Sequence, residues 1–173
     1  MKRLLIVWHS RTGCARQMSE QLAQGARAAA TALDLGLALE VRSLAAAEAH
    51  AQDVLDADGY LFCAPENLGS LTGTMKEFFD QAYYAVLDQV AGRPCGLAIA
   101  AGSDGAGAQR QMERICTGWR LNLIGAPVVV RNGAQTAEQI LAPKTLGSAD
   151  ADRCHELGGL VAATLLLGEE NEA

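Results

Sequence analysis

Ser10-Arg11-Thr12-Gly13-Cys14-Ala15 sets two hydroxyls, a glycine and a run of backbone amides between an apolar run and a helical pattern. Hydroxyls and amide N–H groups on a tight turn are a donor set for phosphate. The unpaired amides and positive dipole end of a following helix add to it, and such charge-assisted bonds are among the stronger ones in proteins. Arg11 and Arg16 read as solvated cations or as extra charge for the anion. Taken alone, the stretch is also a Ser/Thr-rich turn that happens to precede a helix.

Two further stretches stand out by composition. Ala64-Pro65-Glu66-Asn67-Leu68-Gly69-Ser70-Leu71-Thr72-Gly73-Thr74-Met75-Lys76 is long and polar for a connection after a strand. It reads as amides presented to a flat heteroaromatic ring, with Gly69 at the closest approach, or as a flexible surface loop. Glu66 reads first as a solvated carboxylate, with the edge of such a ring as the alternative. Lys76 and Asp80 are spaced for a solvated i,i+4 ion pair. Gly102-Ser103-Asp104-Gly105-Ala106-Gly107 is too rich in glycine to be held by side-chain packing, and its glycines allow positive φ or a close approach to a ligand. It is not the dinucleotide fingerprint, because its glycine spacing differs and it follows a late strand. His9 abuts the first stretch and reads first as a structural histidine, with donation to that turn as the alternative.

The elements that must position these stretches alternate between strand and helix patterns. Leu4–Trp8 has the length and branching of a buried strand. Met18, Leu22, Ala26, Ala29 and Leu33 then recur at helical spacing. Leu37, Leu39 and Val41 alternate with Ala38, Glu40 and Arg42, as in an edge strand with one wet face. An Ala-rich segment to Leu55 is a weaker helix, and Tyr60–Ala64 is a third strand, ended by Pro65. Met75, Phe78, Phe79, Ala82 and Val86 mark a helix; Cys95–Ala101 is a fourth strand. Met112, Ile115, Cys116, Trp119 and Leu123 predict another helix, Pro127–Val130 a fifth strand, and about Asp150 to Leu167 a last helix. Trp8 and Trp119 read as core or subunit contacts.

Such alternation predicts an α/β fold in three layers, a doubly wound five-stranded parallel sheet of order 2-1-3-4-5. Ligands of such sheets bind beyond the carboxyl ends of the strands, and all three unusual stretches fall there. One domain over residues 1–168, with an acidic, frayed tail at 169–173, accounts for the chain.

Bulk properties narrow the function. With 173 residues, half of them hydrophobic, and a net charge of −6, the chain is globular and has no basic stripe for nucleic acid. Met1-Lys2-Arg3 looks like the start of a signal peptide, but the apolar run ends at Trp8, and no later run approaches a membrane span. Five scattered cysteines form no Cys-x-x-Cys pair and no metal spacing, which fits a reducing cytoplasm. The phosphate-loop lysine motif, the Cys-x5-Arg spacing of small phosphatases and the Gly-x-Ser-x-Gly elbow are all missing from the sequence.

The chain resembles the flavodoxin-like FMN proteins, and among them the NAD(P)H-dependent FMN reductase and WrbA-like quinone reductase branch. Ser10 to Ala15 is similar to that family's phosphate signature, S/T-x-T-G-x-T. Tyr60 to Asp80, with Ala64-Pro65, Gly69-Ser70, Met75-Lys76, Phe78 and Asp80, is similar to its second flavin loop and the helix after it. The resemblance covers roughly residues 3 to 130. It implies that Ser10, Thr12 and Gly13, with the amides of Arg11, Cys14 and Ala15, hold the FMN phosphate. Pro65, Glu66, Asn67, Leu68, Gly69, Ser70 and Leu71 then line the isoalloxazine, and Gly102, Ser103, Asp104, Gly105 and Gly107 its pyrimidine side. It also implies two-electron transfer from NAD(P)H to a quinone-like acceptor, with the flavin carrying the chemistry and no catalytic side chain, in a homodimer or homotetramer. Two departures weaken FMN binding: Ala15 replaces the signature's last hydroxyl, and Leu68 and the third loop supply no aromatic ring. Two alternatives stay open: an electron carrier of the flavodoxin type without its own NAD(P)H activity, and a cofactor-free scaffold that keeps the fold.

Overall fold

Leu4, Leu5, Ile6 and Val7 are buried in succession because β1 (Lys2–Trp8) has a parallel neighbour on each edge and helices over both faces. The computed structural model describes residues 1–168; the expected tail at 169–173 lies outside them. On one side β1 pairs with β2 (Leu39–Ala45) and on the other with β3 (Gly59–Asn67), both in parallel. β3 is bordered in turn by β5 (Pro94–Ala101). The far edge of β5 carries two short segments, β6 (Asn122–Leu123) and β7 (Val128–Arg131). The order is therefore the expected one, with the fifth position split. Gly125 at positive φ and Pro127, which has no N–H, interrupt the ladder between the two segments.

Alternating residues feed two cores. Leu5 and Val7 face one side, packed with α2 (Ala51–Asp56), α3 (Gly73–Val86) and α4 (Ala106–Gly118). Leu4 and Ile6 face the other, under α1 (Cys14–Ala32) and α6 (Ser148–Leu167). The first core holds an aromatic cluster in which Phe79 lies edge-on to Phe62 at 5.0 Å and to Trp119 at 5.3 Å. Trp8 is half-buried against the second core. All five cysteines are buried and unpaired.

Several boundaries differ from the sequence pattern, each for a physical reason. Leu37 lies in a single 3-10 turn and is exposed, so β2 begins only at Leu39. The Ala-rich segment gives just six residues of helix, since alanine favours a helix without giving it a face to bury. Leu123 belongs to β6, beyond the end of the helix that its spacing extends. β3 does not stop at Pro65: the ladder continues with Pro65 opposite Ala100 and the strand ends at Asn67. In a parallel ladder a residue turns its N–H and C=O to the same neighbour. The Cys63 carbonyl accepts from the His9 N–H, so Pro65, two residues on, faces the β1 side, where β1 has already ended. A strand N–H is not needed there.

α1 and α6 cross at contact distance because glycines remove the side chains between them. A Cβ on Gly158 would stand 2.0 Å from the Leu22 carbonyl oxygen, and one on Gly25 would stand 1.9 Å from that of His155. Gly158→Ala is expected to cost about 3 kcal/mol through forced separation of the helices. In a thermal melt Tm then falls by roughly 6–12 °C; an unchanged Tm contradicts the close crossing.

Candidate functional site

Beyond Trp8, the His9 N–H makes the last rung to β3, 3.0 Å from the Cys63 carbonyl. The chain then leaves the sheet as the turn Ser10–Gly13. Ser10 Oγ accepts from the Gly13 N–H at 3.1 Å, and Gly13, at φ +101°, opens α1. The first N–H groups of α1, beginning with Cys14 and Ala15, have no acceptor within the helix and sit at its positive end. Gln17 fixes this turn from below. Its NH2 donates to the carbonyls of Gly13 (3.0 Å) and Lys144 (2.8 Å), while its oxygen accepts from the Leu146 N–H at 2.9 Å. The Lys144 N–H donates to the Thr12 carbonyl at 2.7 Å.

The second stretch is a hairpin rather than a flexible loop. Glu66 and Asn67 pair antiparallel with Leu71 and Ser70 of β4 (Ser70–Leu71), across a two-residue turn formed by Leu68 and Gly69, both at positive φ. Leu68 is 99% exposed at the tip. The hairpin rests on α4: a Cβ on Gly107 would stand 1.9 Å from the Gly69 carbonyl oxygen, and the Leu71 N–H donates to Gln111 Oε1 at 2.7 Å.

Glu66 is not the solvated carboxylate that composition suggests. Its two oxygens accept from the N–H groups of Gly105 (2.9 Å) and Ala108 (3.1 Å), capping α4 with a negative charge where the helix dipole is positive. The second and third stretches are thus tied to each other through one side chain.

Together these elements wall a cleft of about 600 Å³ at the carboxyl end of the sheet, within the range of small-molecule sites. Ser10, Arg11, Thr12, Cys14, Ala15, Pro65, Glu66, Asn67, Leu68, Gly69, Gly102 and Ser103 all line it. The remaining candidates stand behind the wall. Gly13 and Gly105 open helices, Ser70 and Leu71 form β4, and Gly107 lies under the hairpin tip. Asp104 is exposed, and its carbonyl accepts from Arg131 Nε at 2.7 Å.

A fourth wall was not visible in the sequence. Asn132, Ala134, Ile140, Leu141 and Lys144 line the cleft from the segment after β7. It contains α5 (Ala137–Leu141), opened by a capping box in which Thr136 Oγ1 accepts from the Gln139 N–H at 3.2 Å and Gln139 Oε1 from the Thr136 N–H at 3.2 Å. The Thr-x-x-Gln spacing is the sequence signal that marks such a helix start. Ile140 and Leu141 are 53% and 76% exposed at the mouth. Lys144 Nζ folds onto the carbonyls of Gln139 (2.6 Å) and Ile140 (3.2 Å), as well as that of Ala142.

The charged lining residues are Arg11, Glu66 and Lys144, and Glu66 is already satisfied by amides. The cleft is therefore rich in donors and positive charge in a chain of net charge −6. Among the described residues no aromatic ring lines it. A smaller recess of about 230 Å³, walled by residues such as Arg3, Glu40, Arg42 and Asp53, is occupied by its own ion pairs, Arg3–Glu40 at 3.4 Å and Arg42–Asp53.

A parallel sheet whose strand order reverses between β1 and β3, with a donor-lined cleft at that point, defines the flavodoxin-like class. Within it, the chain belongs to the NADPH-dependent FMN reductase family, whose pattern matches residues 9–136. It is 32% identical over 99 residues to an NAD(P)H dehydrogenase (quinone) of Acidithiobacillus ferrooxidans, covering 47% of each chain. It is 32% identical over 117 residues to a flavodoxin of Aquifex aeolicus, covering 68% of this chain and 60% of that one. The chain thus spans about half to three fifths of the length of the curated relatives it matches. An archaeal flavodoxin structure superposes with a TM-score of 0.74 at 13% identity, over 95% of this chain and 99% of that one, and shares the fold.

The family is that of the NADPH-dependent FMN reductases, and the donor set fits FMN. The hydroxyls of Ser10 and Thr12 and the free amides of α1 suit a phosphate, and the flanking Pro65, Ala100, Ala101 and Gly102 leave an apolar slot for a flat ring.

His9 Nδ1 lies 2.8 Å from Thr72 Oγ1 at the root of the hairpin. Burial, and then the Arg11 guanidinium, hold its pKa below the ordinary 6.5. The folded chain therefore refuses a proton that the unfolded chain accepts. The stability that neutral His9 preserves is complete above pH 6.5 and is lost as pH falls through it. An NMR titration of the His9 ring protons is expected to show a midpoint below 6.5; a midpoint at or above it contradicts this environment.

Proposed function

We propose that this chain binds FMN in the cleft, takes electrons from NAD(P)H and passes two of them to a quinone-like acceptor. The observation that carries this reading is the cleft itself, donor-rich, cationic and, among the described residues, lined by no aromatic ring, at the point where the strand order reverses. Bound FMN supplies the redox chemistry. The chain supplies position and field. Ser10, Thr12 and the amides of Arg11, Cys14 and Ala15 hold the phosphate, with charge from Arg11 and Lys144. Pro65 to Gly69 and Gly102 with Ser103 would line the ring, and main-chain N–H groups of these loops would favour added negative charge. Ile140 and Leu141 stand exposed at the mouth and offer it an apolar rim. Among the described residues no aromatic side chain lines the cleft to stack on the ring, which would suit exchange with a second planar reactant such as a nicotinamide or a quinone. The protein works in the cytoplasm as a homodimer or homotetramer. No helix among the described residues is long and apolar enough to cross a membrane.

The flavodoxin relative supports a second reading, a carrier that receives electrons from a separate reductase. Anaerobic addition of NAD(P)H separates the two: stoichiometric bleaching of the bound FMN supports the reductase, and unchanged absorbance supports the carrier.

Fluorescence titration is expected to show saturable FMN binding and much weaker binding of riboflavin, which has no phosphate. Thr12→Val removes a donor at the phosphate and is expected to weaken FMN by about 1–3 kcal/mol, roughly 5- to 150-fold. Equal affinities of wild type and variant would falsify the phosphate assignment.

A further inference from the structure

Large aliphatic side chains scattered singly over a surface need no explanation, but three of them line one cleft here. Leu68, Ile140 and Leu141 are all exposed, and all face the same cleft. They come from separate walls, Leu68 from the hairpin tip and the other two from α5. The rest of the lining is polar, charged or built from small residues and Pro65.

Leu68 stands there against the preference of its backbone. Its φ of +53° lies in the left-handed region, which an L side chain enters at a cost. It precedes Gly69 in a two-residue hairpin turn, where Asn, Asp or Gly is the favoured choice. The side chain meets solvent, so no packing within the fold offsets the strain. Outliers of this kind cluster at ligand sites. Both walls are braced from behind. Glu66 and Gln111 tie the hairpin to α4. Thr136 and Gln139 close the start of α5, and Lys144 Nζ donates to the carbonyls of Gln139 and Ile140 at its end. The three aliphatic groups are thus carried on fixed backbone around the mouth.

A donor-lined, cationic cleft with an aliphatic rim complements an amphipathic reactant, polar at the reacting ring and apolar beyond it. A nicotinamide dinucleotide is polar along its length and gains little from aliphatic contact, so the rim addresses the electron acceptor. We propose that Leu68, Ile140 and Leu141 take the alkyl or prenyl substituent of that acceptor and make the chain selective for substituted, apolar quinones over bare ones. This rests on the reading of the cleft as the flavin site. The overall step takes quinone, NAD(P)H and one proton to hydroquinone and NAD(P)+. Two electrons and two protons reach the ring carbonyls, and no bond to the substituent is made or broken. The rim can therefore select by substituent without touching the reacting atoms.

The test uses the FMN-loaded chain and one dimethoxymethylbenzoquinone ring, with and without a decyl chain. In calorimetric titration of the oxidised protein the decyl quinone is expected to bind at least tenfold more tightly, the increment of about two buried methylenes. Its KM is expected to be lower by the same factor. In Ile140→Ser/Leu141→Ser, and separately in Leu68→Asn, the ratio of the two quinones is expected to fall at least threefold. Each ratio compares two quinones on one loaded protein, so a change in FMN affinity cancels. Asn tolerates positive φ, and Leu68→Asn is also expected to raise Tm by roughly 2–4 °C. A lower Tm means that Leu68 is held for stability and overturns its part in the rim. A wild-type ratio near one, or a preference that survives the substitutions, overturns the proposal. If the Ser pair then dissociates an oligomer or frees the chain from phosphatidylcholine vesicles, a second copy or a bilayer is the occupant instead. Failure of FMN to bind, seen in a separate titration, overturns the flavin reading and the proposal with it.

Discussion

One sheet edge governs the functional end of this molecule. β1 stops at Trp8 while β3 runs on to Asn67, and the backbone of β3 past Cys63 has no strand beside it on that side. An N–H facing this gap would need an acceptor or water. Pro65 fills the position with a residue that has none. The two chains can therefore part at this point, β1 into the Ser10–Gly13 turn and β3 into its hairpin. The gap between them becomes the floor of the cleft, and the amides that face it belong to α1, where they are free by the geometry of any helix start.

The walls are held by side chains that reach far along the sequence. Glu66 ties the hairpin to the start of α4, and Gln17 ties the phosphate turn to the segment around Lys144 and Leu146. Gly107 lets the hairpin tip lie against α4 with no side chain between them. Each tie fixes a donor or a backbone segment before any ligand arrives, and pre-set donors lower the entropy that binding must overcome.

The sheet order and the meeting of three loops were legible because both follow from period and composition. Apolar runs at β1, β3 and β5 can be buried on both faces only in a parallel sheet with helices above and below, and the topology then puts their following loops together. What stayed hidden was long-range. The amides that receive Glu66 lie on Gly105 and Ala108, far along the chain, so its carboxylate read as solvated. Pro65 read as a strand terminator because the rule against proline concerns a paired N–H, and the sequence does not show that β1 has already ended. The segment carrying Asn132, Ile140 and Lys144 has little apolar periodicity, and only its Thr136–Gln139 spacing hinted at structure. Leu37 and Leu123 kept the period of their neighbours but fell beyond the ends of the elements they seemed to extend.

The buried cysteines have a bearing on durability. Thiolates, not thiols, are the species that oxidants and electrophiles attack. Burial raises the pKa of Cys14, Cys63 and Cys154, and at Cys116 burial adds to the effect of a hydrogen bond with Cys95. All five sulfurs are kept from solvent, even Cys14 beside the cleft. A polypeptide whose proposed work is to pass electrons thus keeps its thiols inside the fold, away from the oxidants that would take them up the ladder from sulfenic acid or into a disulfide.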